Sequence, residues 1–191
     1  MRYQIDTEFN EDGETILLIS IGIVAEDGRE LYCINEDARE SACNEWVRTN
    51  VWPNLYACTP KGVPEDYFLG SRAAIRRHIE EFIRDDPDPQ FWGYFADYDF
   101  VVFCWLWGAM VKLPKNFPMY CLDLKQYAYH LGVNKPKELV PPDPDAHNAL
   151  ADARWNDKLY KALVVRHLML KGEHATREIA LESANASSKA E

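Results

Sequence analysis

The sequence predicts an α/β domain on a mixed β-sheet, and three observations carry that prediction. Apolar, β-branched segments separated by Asp-Gly pairs open the chain, as in an antiparallel meander. From Ser71 onward, strand-like and helix-like segments alternate, the pattern of parallel strands joined by helices. The 191 residues are 47% hydrophobic and 13% aromatic, which suits one substantial core and is short for two domains.

Taken in order, Arg2-Tyr3-Gln4-Ile5-Asp6 alternates and reads as a short strand. Thr15 to Val24 is too continuously apolar for a solvent-facing strand and is expected at the centre of the sheet. Asp12-Gly13 and Asp27-Gly28 mark tight turns on either side of it, and Arg29 to Ile34 completes the meander. Residues 35 to 70 lose periodicity and collect Pro53, Pro60, Gly62, Pro64 and Gly70, so they read as an irregular excursion with one short helix around Asn44 to Asn50. Ser71 then caps a helix whose stripe of Ala74, Ile75, Ile79, Phe82 and Ile83 stops before Asp85-Asp86-Pro87. A strand at Phe91 to Phe95, a helix from Tyr98 to about Gly108 and a strand around Met119 to Leu122 follow. The next helix, Leu124 to Leu131, ends at Gly132. Pro141-Pro142-Asp143-Pro144 leads into a long helix from about Asn148 to Lys171. Residues 1–171 therefore form one domain, and 172–191 a polar tail, either frayed helix or disordered.

Composition narrows the function. Lys and Arg number 21 against 31 Asp and Glu, a net charge of −10, which opposes broad electrostatic attachment to nucleic acid or anionic membrane. The longest apolar run, Phe100 to Val111, falls short of the about 20 residues a spanning helix needs. Acids at Asp6 and Glu8 stand where a secretory leader carries its charged and apolar regions. The cysteines (Cys33, Cys43, Cys58, Cys104, Cys121) are odd in number and form no C-x-x-C pair, so a reducing cytoplasm is expected.

Three acidic elements stand out. Asp6 and Glu8, at the end of the first strand, sit at i and i+2 and so project to one face, where mutual repulsion asks for a cation. Asp99 opens a helix directly after a strand, with Asp97 as its rival in the same turn. His147-Asn148-Ala149-Leu150-Ala151-Asp152-Ala153 places an imidazole five residues before a carboxylate. On a continuous helix that spacing turns the two about 140° apart. The preceding prolines keep His147 in a loop, from which it can reach the site that Asp152 helps to form. Singly, each element is also what a surface acid pair or a helix cap produces.

Together they resemble the DEDDh family of 3′–5′ exonucleases, of the ribonuclease H-like superfamily. The resemblance covers roughly residues 2 to 166 in order and spacing. Asp6 and Glu8 match a strand ending in D-x-E. Phe95-Ala96-Asp97-Tyr98-Asp99 is similar to the second motif, whose aromatic before the acid selects Asp99 over Asp97. His147 to Ala153 matches H-x-A-x-x-D-A, the most specific of the three. Asp6-Thr7-Glu8-Phe9, Ile19-Ser20-Ile21-Gly22 and Glu26 to Glu30 are closer still to small stand-alone exoribonucleases of the mycobacterial, ribonuclease T-like type that act on poly(A) ends. Two positions depart from the common pattern: Phe95 replaces an Asn four residues before the second-motif acid, and Phe9-Asn10 follows the first motif in place of Thr or Gly.

The resemblance implies a ribonuclease H-like sheet of three antiparallel strands followed by parallel ones, flanked by helices. It implies that Asp6, Glu8, Asp99 and Asp152 hold two divalent cations, Mg²⁺ or Mn²⁺, since hard oxygen donors without thiolates favour them. His147 is then the general base, because an imidazole, of ordinary pKa about 6.5, accepts protons at neutral pH. The implied reaction is two-metal hydrolysis from the 3′ end of single-stranded RNA or an RNA overhang, releasing nucleoside 5′-monophosphates. Thr7 and Phe9 are expected to meet the terminal nucleotide, Phe9 by stacking on its base. DNA ends as substrate, and a catalytically weak nucleic-acid-binding module of the same fold, are the alternatives. Arg72, Arg76 and Arg77, and the row Arg154, Lys158, Lys161, are solvated faces or phosphate contacts. Trp105 and Trp107 are expected in the core or at a subunit contact, and family members of this size often pair, which raises a homodimer.

Overall fold

A computed structural model describes residues 1–56, 67–142 and 147–187, with side chains as far as Gly172. Cys58, Pro60, Gly62 and Pro64 of the irregular excursion, and Asp143-Pro144 of the proline loop, lie outside the described residues. Strands β1 (Arg2–Glu11), β2 (Ile16–Ala25) and β3 (Glu30–Asn35) form the antiparallel meander. Both of its turns hinge on a glycine in the left-handed region, Gly13 at φ 89° and Gly28 at φ 90°, where a side chain would be strained. Asp12 accepts from the amides of Glu14 and Thr15 and closes the first turn.

Helix α1 (Glu45–Asn50) lies within the excursion, capped by Asn44, whose side chain accepts from the Val47 amide. The short strand β4 (Phe68–Gly70) pairs parallel with β3 and was not legible among the prolines and glycines around it. Helix α2 (Arg72–Ile83) has Ser71 as its cap and buries Ile75, Ile79 and Ile83, the stripe the sequence predicts. Then come β5 (Gln90–Gly93), α3 (Asp97–Trp105), β6 (Leu122–Asp123), α4 (Leu124–His130), α5 (Pro136–Leu139) and α6 (Ala149–Ser187). The sheet order is β4-β3-β2-β1-β5-β6, with β5 parallel to β1 and β6 parallel to β5. This is the expected α/β architecture, a mixed sheet flanked by helices and consistent with a ribonuclease H-like fold.

Several boundaries differ from expectation. β1 runs on past Glu8 to Glu11, so the acid pair lies mid-strand, with a β-bulge immediately after it between Glu8 and Phe9. β5 ends at Gly93 because Phe95 takes a left-handed conformation, φ 57°, that no strand accommodates. β6 occupies Leu122–Asp123 rather than Met119 to Leu122. α6 continues beyond Lys171 to Ser187, the helical one of the two alternatives for the tail: one Gly costs a helix only about 1 kcal/mol, and no proline follows it before Ser187.

Each face of the sheet buries its own helices. Tyr3, Ile5, Ile21, Ile23 and Cys33 pack against α2 and α3, where Phe91, Phe103, Trp107 and Phe117 complete the main core. The other face packs Val24, Tyr32 and Ile34 against Ala149, Leu150 and Ala153 of α6. Trp107 is thus a core residue whose indole donates to Glu80 at 2.7 Å. The side chain of Arg72, expected on a solvated face, donates to the Trp105 carbonyl at 2.8 Å. No helix among the described residues is long and apolar enough to cross a membrane.

A candidate active site of four carboxylates and a histidine

The site forms where β1 outruns its parallel neighbour. β5 pairs with β1 only at Arg2, Tyr3 and Gln4, which leaves the later amides on that side without a strand partner. Asp99, in the first turn of α3, takes that place. Its Oδ1 accepts from the Thr7 amide and from the Thr7 hydroxyl, both at 2.7 Å. Asp99 is only 7% exposed, whereas Asp97 points to solvent, so the choice between the two is decided by burial. A turn held from below aims α3. The Ala96 amide donates to Asp123 Oδ2 at 2.9 Å, and Asp123 Oδ1 caps α4 through the Gln126 amide.

Asp6 and Glu8 face the opposite side of the sheet from Thr7, towards α6. Their cross-strand partners on β2 are small: Gly22 opposite Asp6 and Ser20 opposite Glu8. Gly22 is indispensable sterically, since a Cβ there would lie 2.3 Å from the carbonyl oxygen of Ala149 in the first turn of α6. The helix therefore lands directly on the strand, and Asp152 arrives beside the pair. Carboxylate oxygens of Asp6, Glu8 and Asp152 all lie within 4.8 Å of one another. Asn148, 3% exposed, fixes the landing: its Oδ1 accepts from the Leu150 and Ala151 amides, and its Nδ2 donates to Tyr32 Oη and the Asn54 carbonyl. Asn156, one turn past Asp152, donates to the Ile5 carbonyl and pins the helix to β1.

His147 stands outside the helix, as expected, in a left-handed conformation with φ 69°. Its amide donates to Asp152 Oδ2 at 2.9 Å, so the acid at i+5 holds the turn that carries the imidazole. The ring meets the edge of Trp46 on α1 at a centroid distance of 5.0 Å and an interplanar angle of 84°.

The electrostatics are those of uncompensated negative charge. Burial raises Asp6 well above the ordinary carboxylate range, and the charges of Asp99, Asp152 and Glu8 push it further. Burial, with Asp152 and Asp99, lifts Glu8 from 4.5 to about 8. Asp99 rises to about 6 through burial, against the lowering effect of its Thr7 hydrogen bonds. Asp152 rises by burial too, resisted by the His147 amide, by His147 itself and by Lys137 of α5. Helices α3 and α6 both direct their positive N-terminal ends at this spot, a partial compensation.

All five residues singled out by the motifs thus converge, Asp99 from the far side of β1. Thr7, expected to contact a ligand, is 5% exposed and gives both its donors to Asp99. Phe9 is half-buried and stacks on Tyr98 at 5.7 Å, nearly parallel at 6°, while Tyr98 remains 48% exposed. The basic rows are largely spent within the fold: Arg154 pairs with Glu30 at 2.6 Å, Lys161 with Asp157, and Arg76 with Glu80. Sequence reasoning missed Trp46, Asn148 and Gly22. A glycine inside an otherwise apolar strand was the available signal for a close backbone approach.

Comparison with known proteins identifies the family. Residues 1–164 match the family model described as "3'-5' exoribonuclease Rv2179c-like domain". The 3'-5' exoribonuclease Rv2179c of Mycobacterium tuberculosis strain ATCC 25618/H37Rv is 43% identical over 157 residues, covering 81% of this chain and 88% of that protein. The 3'-5' exoribonuclease MT2234.1 of strain CDC 1551/Oshkosh matches to the same extent. The matched region carries all four carboxylates and the histidine, and the chain belongs to the Rv2179c-like 3′–5′ exoribonuclease family.

Proposed function

We propose that this protein is a divalent-cation-dependent hydrolase that removes nucleotides one at a time from the 3′ end of single-stranded RNA or an RNA overhang. The observation that carries the reading is the Asp6–Glu8–Asp152 cluster, with oxygens within 4.8 Å and burial that makes their joint ionisation costly. Such a cluster needs positive charge from outside the chain. The donor set fits hard cations: carboxylate oxygens only, no thiolate, and a second Asp99 oxygen left over from the Thr7 contacts. We assign Asp6, Glu8, Asp99 and Asp152 as the residues that hold two cations, Mg²⁺ or Mn²⁺. When bound, the cations acidify the attacking water and offset the charge that develops on the phosphate and the leaving oxygen.

The chain's own residues do the rest. His147 accepts the proton of the attacking water as its oxygen bonds to phosphorus. The bond from phosphorus to the 3′ oxygen breaks, the leaving oxygen takes a proton from solvent, to which His147 later returns its own, and a nucleoside 5′-monophosphate departs from an RNA shortened by one residue. Asp152 holds the His147 turn through the amide hydrogen bond, so general base and cation ligand move as one unit. Thr7 fixes the Asp99 carboxylate, which aims its free oxygen. Phe9 and exposed Tyr98 offer a surface for the terminal base. The free thiols Cys33, Cys43, Cys104 and Cys121 suit a reducing compartment, which supports the cytoplasm as the place of action.

The test is a Mg²⁺ titration on single-stranded RNA and DNA of one sequence, labelled at the 5′ end. A ladder shrinking from the 3′ end on RNA and abolished by chelator is the expected result. Shortening of DNA in preference to RNA would reassign the substrate, and cleavage of neither would remove the nuclease reading.

A further inference from the structure

A site of four acids on a chain of net charge −10 must still admit a polyanion. Most basic side chains near the sheet are engaged by the protein itself: Arg154 by Glu30, Lys161 by Asp157, Arg72 by the Trp105 carbonyl, Lys125 by the Asn134 carbonyl. α5 packs against α6 and carries Lys137. The helix is anchored by buried Pro136 at its start and by the Trp155 indole, which donates to the Val140 carbonyl at 2.9 Å just past its end. Trp155 is one turn beyond Asp152 on α6, so the two helices are tied at the level of the acid cluster. Lys135 is occupied by Glu138 at 2.7 Å, whereas Lys137 is exposed and forms no ion pair or hydrogen bond among the described residues.

We propose that Lys137 is a substrate-positioning residue, an unengaged ammonium on the short helix tied to α6 one turn beyond Asp152, that takes a backbone phosphate at the 3′ end of the RNA. The proposal rests on the exoribonuclease reading and adds a contact that none of the acidic motifs contains. A lysine serves here as a mobile point charge, able to follow the phosphate as the chain advances by one residue.

The test is fluorescence anisotropy with a short, 5′-labelled single-stranded oligoribonucleotide and Mg²⁺, in a His147→Ala background that slows consumption of the RNA. Lys137→Ala is expected to weaken binding several-fold and to flatten the slope of log affinity against log salt by about 0.7, the value of one lost phosphate contact on a single strand. Lys137→Arg should restore the slope, and Lys137→Glu should weaken binding further. With His147 present, the Lys137→Ala loss should fall on KM more than on kcat. Wild-type affinity and slope in Lys137→Ala, while the native enzyme shortens RNA, would overturn the proposal and leave the exoribonuclease reading standing. A changed Mn²⁺ affinity with an unchanged RNA salt slope would also overturn it, because Lys137 would then act on Asp152 alone. Failure of the native enzyme to shorten RNA would bring down both.

Discussion

His147 occupies a backbone conformation that non-glycine residues seldom adopt, and the structure supplies what stabilises it. The Asp152 carboxylate takes the amide, Asn148 begins the helix immediately after, and the Trp46 ring edge limits where the imidazole can turn. A residue held that way at a cluster of acids suits the role of base proposed above. Its replacement should therefore leave the fold and RNA binding in place and remove a proton acceptor. His147→Ala is expected to lower single-turnover cleavage by about 10²-fold or more while anisotropy reports near-native RNA affinity. Full Mg²⁺-dependent cleavage by that variant would transfer the role of base to another group.

At the scale of elements, one contact sets the spacing of the whole site. The first turn of α6 rests on β2 at Gly22, directly across the ladder from Asp6. Any side chain at Gly22 must push the helix away, because the atoms it meets belong to backbone at 2.3 to 2.5 Å. Gly22→Ala is expected to destabilise the fold by about 1–3 kcal/mol, the usual cost of overpacking. It should reduce cleavage by more than its loss of folded protein accounts for, since Asp152 and His147 move with the helix. Thermal melting and activity measured on one preparation separate these effects. Native values for both would show that α6 does not rest on this strand.

For the molecule as a whole, the acid cluster couples folding to pH and to cations. Without cations the folded chain keeps protons that the unfolded chain has released, because Glu8 titrates at about 8 rather than 4.5 and Asp99 at about 6 rather than 3.8. Their contribution to stability is complete below the unfolded values and is lost as pH rises through the folded ones. In chelator the melting temperature should fall between about pH 6 and about pH 8, and Glu8→Gln should flatten that fall. Added Mg²⁺ should restore stability at the upper end, as a ligand that binds only the folded state does. A melting temperature that holds steady across this window, and ignores Mg²⁺, would mean that the acids are compensated within the chain.

How much of this was legible beforehand follows from the range of the forces involved. Local signals sufficed for the meander turns at Asp12-Gly13 and Asp27-Gly28, the caps at Ser71 and Asn44, and the α2 stripe, because each is settled within a few residues. The motif residues were legible because their spacing along the chain is itself the signature. The length of β1 beyond Glu8 was hidden, since Phe9, Asn10 and Glu11 continue the strand by pairing with β2 across a β-bulge that no local pattern marks. The partner of His147, Trp46, comes from an excursion without periodicity, and the engagement of Arg154 by Glu30 joins residues 124 positions apart. By itself the sequence determined which side chains to single out and the order of the elements that hold them. Only the tertiary structure decided which charges remain free to act, because neutralisation depends on distances in space that no local pattern encodes.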